Sequence, residues 1–225
     1  MFDHLPIRPD VLVFALALLL YVTDLGRLIY ANEVLFCSAG GGRWNAIMPS
    51  DGFFFRRRHA VFPRPYDPGC LVLSLNWPAQ PRAADAGDLR ERLTALQSQL
   101  SFPQLVCRLL AAEMFLGLPG AYLLPRHDVP VLLLLAVIYI QVLALVMWLF
   151  RSRHRLALPL SACLMWAFES LVCIPYAVNM HRKIGALLLA AAKYDVLDAA
   201  GALLDDPAQQ ALARQLQNAA QKQQR

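Results

Sequence analysis

Charge is scarce in this sequence. Of its 225 residues, 16% are Asp, Glu, Lys or Arg, and the 22 from Val129 to Phe150 carry none. Signatures of catalysis are scarcer still. Neither Gly-Lys-Ser nor Gly-Lys-Thr follows Gly40-Gly41-Gly42, and no helix opens after it, which excludes a phosphate loop and leaves a hairpin turn. A Gly-x-Ser-x-Gly elbow for a serine nucleophile is also missing. His4, His59, His127, His154 and His181 show no i, i+4 pairing and no acidic companion, so they do not form a metal site. Cys37, Cys70, Cys107, Cys163 and Cys173 are odd in number and lack metal-type or redox spacing. The sequence therefore offers no catalytic residue, no metal and no cofactor.

Lysine is also rare, with only Lys183, Lys193 and Lys222 among the 21 basic residues. Such a bias suits a GC-rich bacterial genome. Basic residues exceed acidic ones by five, but they are scattered apart from one short run, which argues against nucleic acid and for topology and anionic lipid head groups.

What is abundant is apolar surface, 58% of the chain, with a mean hydropathy of +0.43. As a helix, 129–150 spans roughly 33 Å, enough for a hydrocarbon core of about 30 Å. Asp128 and Pro130 mark its start, and Arg151, Arg153 and Arg155 follow its end. These features predict a mainly α-helical, multi-pass membrane protein of three or four spans. Residues 1–31 form a first span, a retained anchor rather than a signal peptide, because Asp3, Arg8 and Asp10 replace a clear positive segment. Its helix reaches about Tyr30 if Asp24 and Arg27 pair.

Residues 32–84 read as a β-rich insert. Its candidate strands are Val34 to Cys37, Arg43 to Met48, Gly52 to Phe55, His59 to Phe62 and Leu71 to Trp77, separated by Gly, Pro, Ser and Asp. Its own core is small, so it needs support from a neighbour. Residues 85–101 form an amphipathic helix whose Leu89, Leu93, Leu96 and Leu100 line one face, best read as covering the insert. Membrane helices fill 102–180, at 102–124, 129–150 and 156–178, the first interrupted around Gly117, Pro119 and Gly120. A helical tail, 181–225, ends the chain.

With four spans, the insert and the 151–155 loop share one side and the tail lies on the other. The positive-inside rule puts the insert in the cytoplasm, although His181 to Lys183 and Lys193 argue against that arrangement. If 102–124 does not cross, insert and tail share a side.

The polar residues inside apolar helices are the first functional candidates. Glu113, Gln141 and Glu169 each fall about 12 or 13 residues into their helices, near one depth, and Arg108 is the cation at hand. The plainer reading is a polar layer that fixes helix pairing; the sharper one is a proton or ion relay. A second candidate set, Phe53, Phe54, Phe55, Arg56, Arg57 and Arg58, combines aromatic anchors with cations and suits a lipid surface or a partner. Ordinary strand alternation explains it equally well. Pro175 is a candidate helix hinge.

These readings lead to an expectation of a non-enzymatic accessory, anchoring or assembly subunit in the plasma (inner) membrane of a bacterium. Its partners would be lipids and another membrane protein or further copies of itself. The alternative is a small transport or ion-coupling component that uses the intramembrane carboxylates.

Overall fold

A computed structural model of the chain describes residues 9–39, 42–49, 53–55, 58–77, 86–190 and 194–223. The chain is mostly helical with a small sheet region. In chain order, α1 (Pro9–Leu25) precedes six strands: β1 (Arg27–Ile29), β2 (Glu33–Ala39), β3 (Arg43–Ile47), β4 (Phe53–Phe55), β5 (Arg58–Val61) and β6 (Val72–Asn76). Then come α2 (Ala86–Gln99), α3 (Ser101–Ala112), a π-helical turn (Glu113–Gly117), α4 (Leu118–Tyr122) and α5 (Asp128–Ser152). The remaining helices are α6 (Leu160–Val172), α7 (Ile174–Val178), α8 (Met180–Ala190), α9 (Val196–Leu203) and α10 (Asp206–Gln223). Two compact units divide these elements: Met1–Leu25 with Pro103–Met180, and Gly26–Phe102 with His181–Arg225.

The second unit holds the strands. They form two three-stranded antiparallel sheets, ordered β1-β5-β4 and β3-β2-β6. In the central strand β2, the consecutive residues Val34, Leu35, Phe36 and Cys37 are all buried, so both of its faces are covered. Ile29, Leu35, Cys37, Val61, Cys70 and Val72 make one apolar cluster. Gly42 supplies the positive φ of +75° in the turn between β2 and β3.

In α2 the leucine face is buried as its spacing predicts, and its neighbour is α9 from the far end of the chain. Asp195 caps α9, its Oδ1 accepting from the backbone N–H groups of Leu197 at 2.7 Å and Asp198 at 3.3 Å. Both α9 and α10 pack on β3. The helical segment 181–225 thus joins Gly26–Phe102, which contains the insert, in one compact unit. Apolar positions such as Leu203, Leu204 and Leu212 are buried there, although a composition rich in Ala and Gln conceals them.

The first unit is built from the apolar helices. Here α1 closes at Leu25 instead of continuing to Tyr30. Gly26, a poor helix former, follows it, and Arg27 to Ile29 pair with Val61 to His59 of β5. Among the described residues, two helices, Ser101–Tyr122 and Asp128–Ser152, are by length and composition long and apolar enough to cross a membrane. The interruption expected near Pro119 is a widening and not a break. Leu118 donates its N–H to the carbonyl of Glu113, five residues back, because Pro119 has no N–H with which to continue the regular ladder.

The segment 156–178 is not one helix. Cys173 is extended at φ −139°, ψ 97°, which separates the 13 residues of α6 from the five of α7. Its N–H closes α6 on the carbonyl of Glu169 at 2.8 Å, and its own carbonyl accepts from Tyr176 at 3.0 Å to open α7. Pro175 sits in the first turn of α7, where its missing N–H costs nothing.

Aromatic contacts hold α1 in this unit. Phe14 meets Tyr122 edge-on at 5.5 Å and Tyr21 lies 5.1 Å from Phe115. Buried Asn179 donates from Nδ2 to the carbonyl of Tyr21 at 3.2 Å and to Asp24 Oδ2 at 3.1 Å.

Candidate functional site

Glu113 begins the π-helical turn, and Gln141 lies midway along α5, which packs on that turn. Gln141 Nε2 donates to Glu113 Oε1 at 2.6 Å. Glu113 Oε2 and Gln141 Oε1 are also buried, and neither has a hydrogen-bond partner. Gly117 lies one turn further along, where an added Cβ would meet Leu134 Cδ2 at 3.0 Å. The two helices approach closely beside the pair because this position has no side chain.

The four residues expected to form one polar layer are distributed differently. Glu113 and Gln141 are joined. Arg108 is exposed on α3, and Glu169 is half-buried on α6. No cation reaches Glu113, whose polar contact is Gln141 alone among the described residues.

The second candidate set lies in the sheet region. Phe53, Phe54 and Phe55 form β4 and pair with Ala60, His59 and Arg58 of β5. Arg56 and Arg57 lie outside the described residues. Arg58 is bound within the chain, its Nη2 donating to the hydroxyl of Tyr30 and its guanidinium lying 4.3 Å from the centre of that ring. Pro175, the hinge candidate, is buried at the start of α7.

A third feature escapes the sequence reading. Residues 63–70, Pro-Arg-Pro-Tyr-Asp-Pro-Gly-Cys, form a tight loop. Asp67 N–H donates to the Arg64 carbonyl at 3.0 Å, and Gly69 N–H to Asp67 Oδ1 at 3.1 Å. Arg64 holds a positive φ of 42°, rare for a residue with a side chain. Arg182, only 3% exposed, clamps the loop by donating to the carbonyls of Arg64 and Asp67. The prolines and glycine announce a turn, but nothing local assigns it a buried cation from the start of α8. A surface cavity of about 490 Å³ lies beside the loop, with Cys37, Asn45, Arg64 and Tyr66 among its walls.

Burial pushes the Cys37 thiol up to about 12, with Cys70 adding to the effect and Arg182 and Arg64 opposing it. Cys70 is raised as well, again mainly by burial. Both thiols are free and stay protonated near neutrality, which makes them poor nucleophiles. Among the described residues, no three His, Cys, Asp or Glu side chains converge as metal ligands would. No protein-family model, curated protein or solved structure matches the chain.

Proposed function

We propose that the chain is a non-enzymatic integral membrane protein of the accessory, anchoring or assembly kind, with its first unit in the bilayer and its second acting as the part that binds another membrane protein. The carrying observation is the surface of the first unit. Leu16, Leu109, Leu132, Ile140, Met147 and Phe168 lie on four different helices and are 44% to 69% exposed. Water penalises such a surface, whereas lipid does not.

The composition of the second unit supports a definite topology. Its two pieces, Gly26–Phe102 and His181–Arg225, fold together and so lie on one side of a bilayer. The chain between them then crosses an even number of times. Ser101–Tyr122 and Asp128–Ser152 supply those two crossings. At about 1.5 Å per residue, α6 and α7 span roughly 20 and 8 Å, short of a core of about 30 Å, and form a broken segment that returns to its own side. Counting α1, one continuous helix of 17 residues that reaches roughly 25 Å where α6 breaks off at about 20 Å, makes three crossings. Arg43, Arg64, Arg90, Arg151, Arg155 and Lys183 all come to one side, the cytoplasmic one by the positive-inside rule. The opposition between the insert arginines and the His181 to Lys183 cluster disappears.

The test uses a chain lacking its native cysteines, with single probes at exposed Tyr66, Arg126, His154 or Gln217. In intact cells an impermeant maleimide should label the Arg126→Cys probe alone, and in inverted vesicles the other three. Labelling of the Gln217→Cys and Arg126→Cys probes from the same side would overturn the topology. Purification in mild detergent should then yield a complex with a second membrane protein at fixed stoichiometry. A chain that runs alone near 25.1 kDa plus detergent would count against the accessory role.

The isolated Glu113–Gln141 pair favours a second reading, a small transport or ion-coupling component. In that case Glu113→Gln should abolish a pH-dependent flux and leave assembly intact.

A further inference from the structure

The carboxyl of Glu113 and the amide of Gln141 bring together three oxygens and one nitrogen but only one hydrogen bond, from Nε2 to Oε1 at 2.6 Å. The two atoms left over, Glu113 Oε2 and Gln141 Oε1, are both buried and both acceptors. While the carboxyl is ionised, neither can serve the other. One proton on Oε2 makes it a donor, and a carboxylic acid facing a primary amide can then close a ring of two hydrogen bonds that uses both oxygens at once.

Among the described residues, no neighbouring charge offers another solution. On α5 the ionisable residues are Asp128, Tyr139 and Arg151. Asp128 and Arg151 lie about 20 and 15 Å along the axis from Gln141, and Tyr139 is exposed. On the helix of Glu113, Arg108 is exposed and Tyr122 packs against Phe14. From α1, which reaches the π-helical turn through Tyr21 and Phe115, the carboxylate of Asp24 accepts from Asn179. A lone carboxylate in this apolar setting has only one amide to support it.

We propose that Glu113 and Gln141 form a proton-binding site, in which Glu113 Oε2 takes a proton from hydronium, leaving water, and donates it to Gln141 Oε1. This rests on the reading that Ser101–Tyr122 and α5 cross a membrane. The site sits at the start of the π-helical turn. Its five-residue hydrogen bonds are a local departure from the regular ladder, of a kind that recurs at functional positions.

The full chain in phosphatidylcholine vesicles, isolated by flotation, provides the test through infrared spectroscopy near neutral pH. The protonated-carboxyl carbonyl band should shift on deuteration, and a component of it should vanish in Glu113→Gln but persist in Glu169→Gln. In Gln141→Leu that component should move to the higher frequency of a less hydrogen-bonded acid. A Glu113→Gln spectrum identical to that of the unsubstituted chain would overturn the proposal. Glu113→Gln retains the shape of the side chain, so circular dichroism should match and exclude misfolding. Failure to float would instead remove the membrane reading, and the same band, read on the full chain in detergent, would still decide the pair.

Discussion

Arg182 Nη2 donates to the backbone carbonyl of Arg64, a residue 118 positions earlier. The same nitrogen donates to the carbonyl of Asp67, so one buried cation holds both ends of a turn. Hydrogen bonds to a charged group contribute about 1.5 to 3 kcal/mol each. Arg182→Met should destabilise the second unit by about 3 kcal/mol, read as a lowered denaturant midpoint. Arg182→Lys, with a point charge in place of a planar fork, should fall between the two.

The thiols give a pH signature. An unfolded Cys37 loses its proton near 9.0 and the folded one near 12. A raised value means that the folded state binds the proton more tightly, so this contribution is complete below pH 9.0 and is lost as pH rises towards 12. Its full size is on the order of 4 kcal/mol. Stability of the second unit should therefore fall across that window, and less steeply in Cys37→Ala. Alkylation of Cys37 near neutrality should require denaturant; rapid labelling of the native chain would contradict its burial.

Gly185 on α8 is fixed by packing. An added Cβ would lie 2.6 Å from Leu71 Cδ2, and Leu71 is itself buried. Gly185→Ala should cost about 1 to 3 kcal/mol. Combined with Leu71→Ala it should cost less than the sum of the separate changes, because the methyl then has room.

Asn179 provides a comparable test in the first unit. Asn179→Leu removes its bonds to the Tyr21 carbonyl and Asp24, at a cost of about 1 to 3 kcal/mol. The thermal midpoint should drop while the second unit keeps its denaturant midpoint. Asp24→Asn should be milder, since the Tyr21 carbonyl remains.

The sequence reveals the features whose causes are local. The strands near 34–37, 43–47 and 72–76 follow from short apolar runs between turn residues, and the α2 face follows from its leucine spacing. β1 has no such signal: three residues attached directly to a helix become a strand because β5, some thirty residues later, accepts them. For the same reason the partner of the α2 face is not legible, since α9 lies beyond three apolar helices in the chain. In the candidate site, helix depth suffices to bring Glu113 level with Gln141. Depth says nothing of azimuth, however, and azimuth separates both from Arg108 and Glu169. The break at Cys173 is partly readable, because Pro175 demands a helix start or a kink and composition does not choose between them.

The two-piece construction of the second unit also sets an order of assembly. At roughly 5 to 20 residues per second of synthesis, Arg182 emerges about 6 to 24 s after Arg64, given the 118 positions between them. During that interval residues 26–102 lack both their clamp and the helices that pack on β3. The unit therefore closes late: its last contacts wait for the carboxyl-terminal segment, which emerges only after all of Pro103–Met180 has been made.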